Sequence, residues 1–292
     1  MDNCTLVIGL LIASVFILDT IVLYIRYPST DKKKQGMYDI GKSMTIGGRE
    51  VQEDQIGDMT TAAGVMAVLA DGAGKAYGGR IASRTAVDTC IDIFSDYNAF
   101  HNPQYFFRKA FHRANKEILK ALGDDSRGSA SVGCVIVRAG FLYYALVGNV
   151  KICVYREGNL VPVSSGHTVA MLAEQKFHEG TISREDALAL LENKRLYNYL
   201  GQDGFKDIEL FDAPIRMKQD DIVVLMSDGI YDLIGIRQIE EVLAGSADCQ
   251  QKAYDIIELV NQYPKEEKDN ASIVLLGMGD IVRAYEKAKF RI

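Results

Sequence analysis

The first sustained pattern along the chain is an unbroken apolar one. Sixteen of the 20 residues from Leu6 to Ile25 are apolar, and a helix of about 20 residues spans roughly 30 Å, the hydrocarbon thickness of a bilayer. This predicts a transmembrane helix over residues 4–26. A cleaved signal peptide would need a basic start and a shorter apolar run, whereas this chain opens Met1-Asp2-Asn3. Arg26, Lys32, Lys33 and Lys34 follow the span and nothing basic precedes it. The positive-inside rule then expects a single-pass protein of the cell membrane with everything after the span in the cytoplasm. Asp19 within the span costs about 2.5–3.5 kcal/mol on insertion scales, which the surrounding Leu, Ile and Val offset. Residues 27–40 are polar, charged and broken by Pro28 and Gly36, and read as a linker.

Beyond the linker, strand and helix signals alternate. Residues 65–70, Val-Met-Ala-Val-Leu-Ala, predict a strand buried on both faces. Residues 79–95 predict a helix with Ile81, Ala82, Thr85, Cys90, Ile93 and Phe94 to one side. A second helix starts at the cap and first-turn proline Asn102-Pro103 and stops at Gly123. Strands are expected over 130–138, 141–148, 151–156 and 160–163, joined by turns at Ala139-Gly140 and Glu157-Gly158-Asn159. Residues 168–200 read as helical, 221–227 and 271–276 as strands, and 248–262 as a helix. Short hairpins in succession argue for antiparallel sheets covered by helices, an α+β layered fold. No later stretch has linker composition, so residues 41–279 read as one domain, with 280–292 as a short basic C-terminal extension.

Composition narrows the function classes. At 48% apolar and 25% charged residues the chain is that of a globular protein. Its formal charge of −6 disfavours a nucleic-acid footprint, which usually needs a basic face. The five cysteines lack Cys-x-x-Cys spacing and are expected to be reduced thiols. With four histidines and no Trp, a His-rich zinc site is not expected.

The candidate chemistry is acidic. Glu53-Asp54, Asp71-Gly72, Asp228-Gly229 and Asp269-Asn270 each place an acid at the end or edge of a strand, in the last three beside a Gly or Asn. One Asp-Gly is usually only a turn. Several converging carboxylates, without His or Cys, form a hard-oxygen site suited to Mg²⁺ or Mn²⁺.

Taken in order, these segments resemble the metal-dependent protein phosphatases of the 2C type, the PPM family. Arg49 followed by Glu53-Asp54 matches the first motif, and Asp71-Gly72-Ala73-Gly74 the Asp-Gly-x-Gly motif. Gly128-Ser129-Ala130-Ser131 stands where the family has Gly-Ser-Thr-Ala, and Gly148-Asn149-Val150-Lys151 where it has Gly-Asp-Ser-Arg. Gly166-His167-Thr168 resembles Asp-His-Ser, Leu200-Gly201 fits the Ala-Leu-Gly stretch, Ser227-Asp228-Gly229 the Ser-Asp-Gly motif, and Asp269-Asn270 the last one. The resemblance covers roughly residues 41–278.

The resemblance implies a four-layer α-β-β-α sandwich, two antiparallel sheets flanked by helices, preceded here by the membrane helix. It implies two Mn²⁺ or Mg²⁺ ions per domain, held by Asp54, Asp71, the carbonyl of Gly72, Asp228 and Asp269, with Asp71 bridging both. Glu53 and Asn270 are expected to support these ligands, although Glu53 rather than Asp54 is an open alternative as the closer of that pair. Two divalent ions generate a bridging hydroxide near neutral pH and stabilise phosphoryl oxygens. Arg49 would hold the phosphate, a guanidinium fork matching two of its oxygens. The expected catalytic set is Arg49, Asp54 and Asp71.

Three departures stand out. Ala73 takes a place where many eukaryotic members have a His, Lys75 replaces a Gly, and Asn149 replaces an Asp that helps bind a third metal. The last predicts a weakened or absent third-metal site. His167 lacks cluster partners and is expected to be a hydrogen-bonded loop residue. The expected activity is that of a membrane-anchored protein phosphatase acting on phosphoserine and phosphothreonine proteins, partnered by a Ser/Thr kinase. One rival is a weak or inactive module of the same fold that docks phosphoproteins, motivated by Ala73 and Asn149. Another is a scaffold that oligomerises through Asp19.

Overall fold

The structure is a computed structural model that describes residues 38–95, 101–123, 127–205 and 207–279. The expected membrane helix, almost all of the linker, and the basic C-terminal extension lie outside the described residues, as do Cys4 and Asp19. Among the described residues no helix is long and apolar enough to cross a membrane.

Eleven strands among the described residues form two antiparallel sheets. The first runs in the order β1 (Asp39–Thr45), β11 (Ala271–Gly277), β10 (Ile222–Met226), β6 (Lys151–Arg156), β7 (Asn159–Pro162). The second runs β2 (Gln55–Thr61), β3 (Gly64–Gly74), β4 (Gly128–Arg138), β5 (Phe141–Val147), β8 (Glu209–Leu210), with β9 (Ile215–Arg216) also paired to β5. Helices α1 (Gly78–Phe94) and α2 (Pro103–Leu122) cover the second sheet. Helices α5 (Asp228–Tyr231), α6 (Ile236–Ala244) and α7 (Cys249–Gln262) cover the first.

The layering follows from side chains alternating across each strand. In β3, Val65, Ala67 and Leu69 face the other sheet, where they meet Val223 and Leu225 of β10 and Val274 and Leu276 of β11. Met66, Val68 and Ala70 point the other way, onto Ala82, Ala86, Cys90, Phe107 and Phe111 of the helices. On the first sheet Val224, Ile273 and Leu275 pack outward against Ile239, Ala253 and Ile256. Three apolar interfaces therefore separate four layers. The central strands are buried on both sides, which is why they read as continuous apolar runs.

Local signals place the elements. Asn102 accepts a hydrogen bond from the Tyr105 amide at 3.0 Å ahead of Pro103, and Gly123 ends α2 with φ 59°. The hairpin turns at Ala139-Gly140 and Glu157-Gly158 put both residues of each pair at positive φ, the mirror-image turn that suits strand twist. Four described cysteines, Cys90, Cys134, Cys153 and Cys249, are buried free thiols.

One expected element is different. Residues 168–200 are not one helical stretch but two short helices, α3 (Val169–His178) and α4 (Arg184–Leu190), followed by irregular chain. Gly180 turns at φ 72°, and Ser183 caps a fresh helix by accepting from the Asp186 amide at 3.1 Å. After Leu190 tertiary pairing takes over: Leu196 bridges to Thr168 and Leu200 to Ala130. Strands β1, β2, β8 and β9 and helices α5 and α6 are additions to the elements expected from the sequence.

Candidate active site

Register brings four acids to one end of the sandwich. Asp54 directly precedes β2, whose first residue Gln55 pairs with Ala70. Asp71 follows on β3 and pairs with Ser131 of β4. Asp228 begins α5, two residues beyond Met226, the last residue of β10. Asp269 lies two residues before β11, whose start pairs with the end of β1. Each acid thus sits on a strand end fixed by a buried sheet.

Asp54 is buried, 3% exposed. Its Oδ2 accepts from Ser227 Oγ at 2.9 Å, and the same Ser227 Oγ accepts from the Ser272 amide at 2.9 Å. Asp71 is half-buried and its carboxyl lies near that of Asp54. Burial raises the proton affinity of these groups and their mutual repulsion adds to it. Asp54 is pushed up to about 6, burial outweighing the Ser227 hydrogen bond. Asp71 stands well above the ordinary carboxylate range, from burial and then the charges of Asp54, Asp228 and Asp269. Asp228 is raised by burial, Asp269 and Asp232.

Glu53 and Asp54 diverge. The Glu53 carboxylate turns to the start of α1, where the Arg80 and Gly79 amides donate to it. That approach needs Gly79, since a Cβ there would stand 2.5 Å from Glu53 Oε1. Burial still raises Glu53, opposed by those amides and by Arg49. Asn270 ties the segment to β11: its Oδ1 accepts from the Glu53 amide at 2.7 Å and its Nδ2 donates to Ile46 O at 2.9 Å. A Cβ on Gly72 would stand 2.2 Å from Gly79 O, so β3 at Gly72 and the start of α1 are in backbone contact.

Arg49 is exposed, and its Nη2 donates to Asp269 Oδ2 at 2.8 Å. A small cleft of about 130 Å³ lies here, lined by Arg49, Asp228, Asp232, Lys265 and Asp269 among others. Larger hollows, about 740 and 720 Å³, lie elsewhere, against Lys75 and Arg127 and against Arg156 and Asp221. Volume therefore does not mark this site; clustered buried charge does.

The sequence motifs bring together Arg49, Glu53, Asp54, Asp71, Gly72, Asp228, Asp269 and Asn270. They do not point to Lys265, nor to Lys194, which pairs with Asp232 at 2.6 Å. Lys194 reaches the site from a loop far away in sequence, whereas Lys265 lies four residues before Asp269 but outside any motif. His167 is a buried loop residue whose Nδ1 accepts from the Gly148 amide at 3.1 Å, and burial lowers its proton affinity.

The donor set fits divalent metal in its chemistry: carboxylates and carbonyls, hard oxygens throughout, carrying negative charges that oppose one another. Among the described residues, no three Asp, Glu, His or Cys side chains already form a ligand cage. The acids neighbour one another across the strand ends rather than enclosing a point.

The sequence profile named Protein phosphatase 2C matches residues 41–264. The chain belongs to the protein phosphatase 2C family. The expected enzyme class, protein-serine/threonine phosphatase, follows from that membership. The serine/threonine phosphatase stp of Listeria monocytogenes is 25% identical over 216 residues, 72% of this chain and 82% of that protein. A solved S. agalactiae serine/threonine phosphatase superposes with a TM-score of 0.70 at 22% identity, covering 82% of this chain and 99% of its own. The catalytic domain of the phosphatase PstP, solved in complex with two manganese ions, gives 0.63 at 19% identity, covering 82% and 97%. These likenesses show the same two-sheet, helix-flanked fold.

Proposed function

We propose that this chain is a membrane-anchored, cytoplasm-facing phosphatase that hydrolyses phosphoserine and phosphothreonine on proteins with two divalent cations, Mn²⁺ or Mg²⁺. The observation that carries the reading is the gathering of Asp54, Asp71, Asp228 and Asp269 at one end of the sandwich, with Arg49 beside them.

Asp54, Asp71, Asp228, Asp269 and the Gly72 carbonyl would hold the cations. Bound there, the cations supply a water acidic enough to ionise near neutral pH and neutralise charge on the transferring phosphoryl group. Ser227 orients Asp54, and Asn270 fixes the strand entry that carries Asp269. Glu53 binds the α1 amides and so supports the Asp71–Gly72 end of β3 from outside the ligand set. Arg49 would turn from Asp269 to two phosphate oxygens, with its charge next to the reacting group. Lys265, across the same cleft, adds positive charge where an anionic substrate enters.

Residues 6–25 supply the anchor in this reading, and a membrane-bound Ser/Thr kinase is the natural opposing activity. Confinement to the bilayer would raise the effective concentration of membrane substrates. Protease accessibility of the domain in sealed vesicles tests the orientation: protection from added protease in right-side-out vesicles and cleavage in inverted ones are expected.

Activity is tested with the full chain and a phosphothreonine peptide in Mn²⁺, Mg²⁺ or chelator. Phosphate release that needs metal and disappears in Asp71→Asn and Asp228→Asn is expected. Metal binding with no turnover would instead favour a phosphoprotein-docking module.

A further inference from the structure

Asn149 stands between the two sheets' active-site ends, in the turn from β5 to β6. Both ends of its side-chain amide are engaged. Oδ1 accepts from Ser131 Oγ at 2.7 Å, and Nδ2 donates to Asp228 Oδ2 at 3.1 Å. Its backbone carbonyl accepts from Tyr231 Oη at 2.9 Å, and Tyr231 closes the short helix that Asp228 opens. Lys151 lies over the Tyr231 ring, 3.9 Å from its centroid.

The amide can face only one way. A carboxylate oxygen accepts hydrogen bonds, so the NH₂ must point at Asp228 and the carbonyl at the hydroxyl of Ser131. Ser131 is buried, 3% exposed, and is the cross-strand partner of Asp71. Its hydroxyl reaches Asn149 because residue 148 is glycine: a Cβ there would stand 2.2 Å from Ser131 Oγ, at φ 96°. Ser131, standing where the family pattern has Ala, and Asn149, standing where it has Asp, are therefore partners. The serine fixes the orientation of the amide that an aspartate could not supply.

We infer that Asn149 is a positioning residue: locked by Ser131 and Tyr231, its amide holds the Asp228 carboxylate in place by donating a hydrogen bond. This rests on the reading of Asp228 as a metal ligand. With its oxygen accepting from Ser131 and its NH₂ turned to Asp228, the side chain presents an N–H donor rather than an oxygen towards Asp228. The active-site ends of β4 and β10 are thereby coupled through one amide.

The test is Mn²⁺ calorimetry on the full chain, with melting temperature in chelator as the check on folding. Asn149→Ala should weaken Mn²⁺ binding on the order of tenfold, the worth of one hydrogen bond to a charged group. Ser131→Ala should weaken it severalfold, and Ser131→Thr, which keeps the hydroxyl, should restore it. The double variant Ser131→Ala/Asn149→Ala should be no weaker than Asn149→Ala alone, because Ser131 acts through the amide. The inference is overturned if Asn149→Ala binds Mn²⁺ within twofold of wild type, if Ser131→Thr binds as weakly as Ser131→Ala, or if the two losses simply add. A wild-type chain that binds no Mn²⁺ would overturn the metal-site reading itself, a different result from a wild type that binds and an Asn149→Ala variant that binds equally.

Discussion

Strand β10 has an aspartate at each end, and the two are handled in opposite ways. Asp221, 2% exposed, precedes the strand. Arg156 Nε donates to its Oδ1 at 3.0 Å and Nη2 to its Oδ2 at 2.5 Å, and the Lys218 amide adds a bond at 2.6 Å. That carboxylate has its own cation, and the pair raises the proton affinity of Arg156 in return. Asp228, at the other end, meets the charges of Asp269 and Asp232 with Asn149 as its direct donor, and Lys194 only as a more distant positive charge. Asp54 and Asp71 meet hydroxyls and other acids. A buried ion pair completed within the chain marks structure. A group of buried acids lacking such a cation marks a place where a cation is to be supplied, and unfavourable packing of like charge is tolerated there for function.

The contrast predicts opposite responses to removing one charged group. Asp71→Asn should reduce metal-dependent turnover about 10³-fold, several kcal/mol of lost charge stabilisation. The same change should leave the metal-free fold as stable or more stable, because one repelling charge is gone; melting in chelator reads this. Arg156→Ala should do the reverse. It leaves Asp221 buried without its partner and should destabilise the fold by about 3 kcal/mol, while turnover per folded molecule stays at the wild-type level.

Acidity sharpens the comparison further. The folded-state value of Asp54, about 6, lies above the ordinary 3.8. Between those values the native state binds more protons than the unfolded chain, so stability falls as pH rises through this window and levels off above it. In chelator, the cluster should therefore cost the fold more at pH 7 than at pH 4.5. Added Mn²⁺ competes with those protons, so it should raise the melting temperature more at pH 7 than at pH 4.5. Equal metal-induced shifts at both values would break the account. The smallest effect belongs to Glu53. As a partner of the α1 amides, its replacement in Glu53→Gln should cost about 0.5–1 kcal/mol and lower turnover far less than Asp54→Asn; an equal loss in both would make Glu53 a ligand.

The sequence was most legible where burial is two-sided or a cap is explicit. Val65–Ala70, the Asn102-Pro103 start and the Ala139-Gly140 and Glu157-Gly158 turns declare themselves locally. Asp71, Asp228 and Asp269 do so as well, because each sits beside Gly or Asn at the border of an apolar run. Strands β1 and β2 are edge strands with one buried neighbour each, and Gly41 in β1 gives no strand signal. It is glycine because a Cβ there would stand 1.9 Å from Cys249 O, where α7 lies against the strand. Residues 191–200 carry helix-compatible side chains but are held by pairing to Thr168 and Ala130, contacts that span too much sequence for a local pattern to reveal. The same reason hides Lys194. Position 149 was readable as a departure, but its bond to Asp228 needed the fold.

The most direct test of the central claim is the number of Mn²⁺ ions bound per chain at pH 7, measured by calorimetry on wild type, Asp71→Asn and Arg156→Ala. Two ions on wild type, two on Arg156→Ala and fewer than two on Asp71→Asn are the predicted result. Equal binding by wild type and Asp71→Asn would contradict the assignment of the buried acids as the metal site.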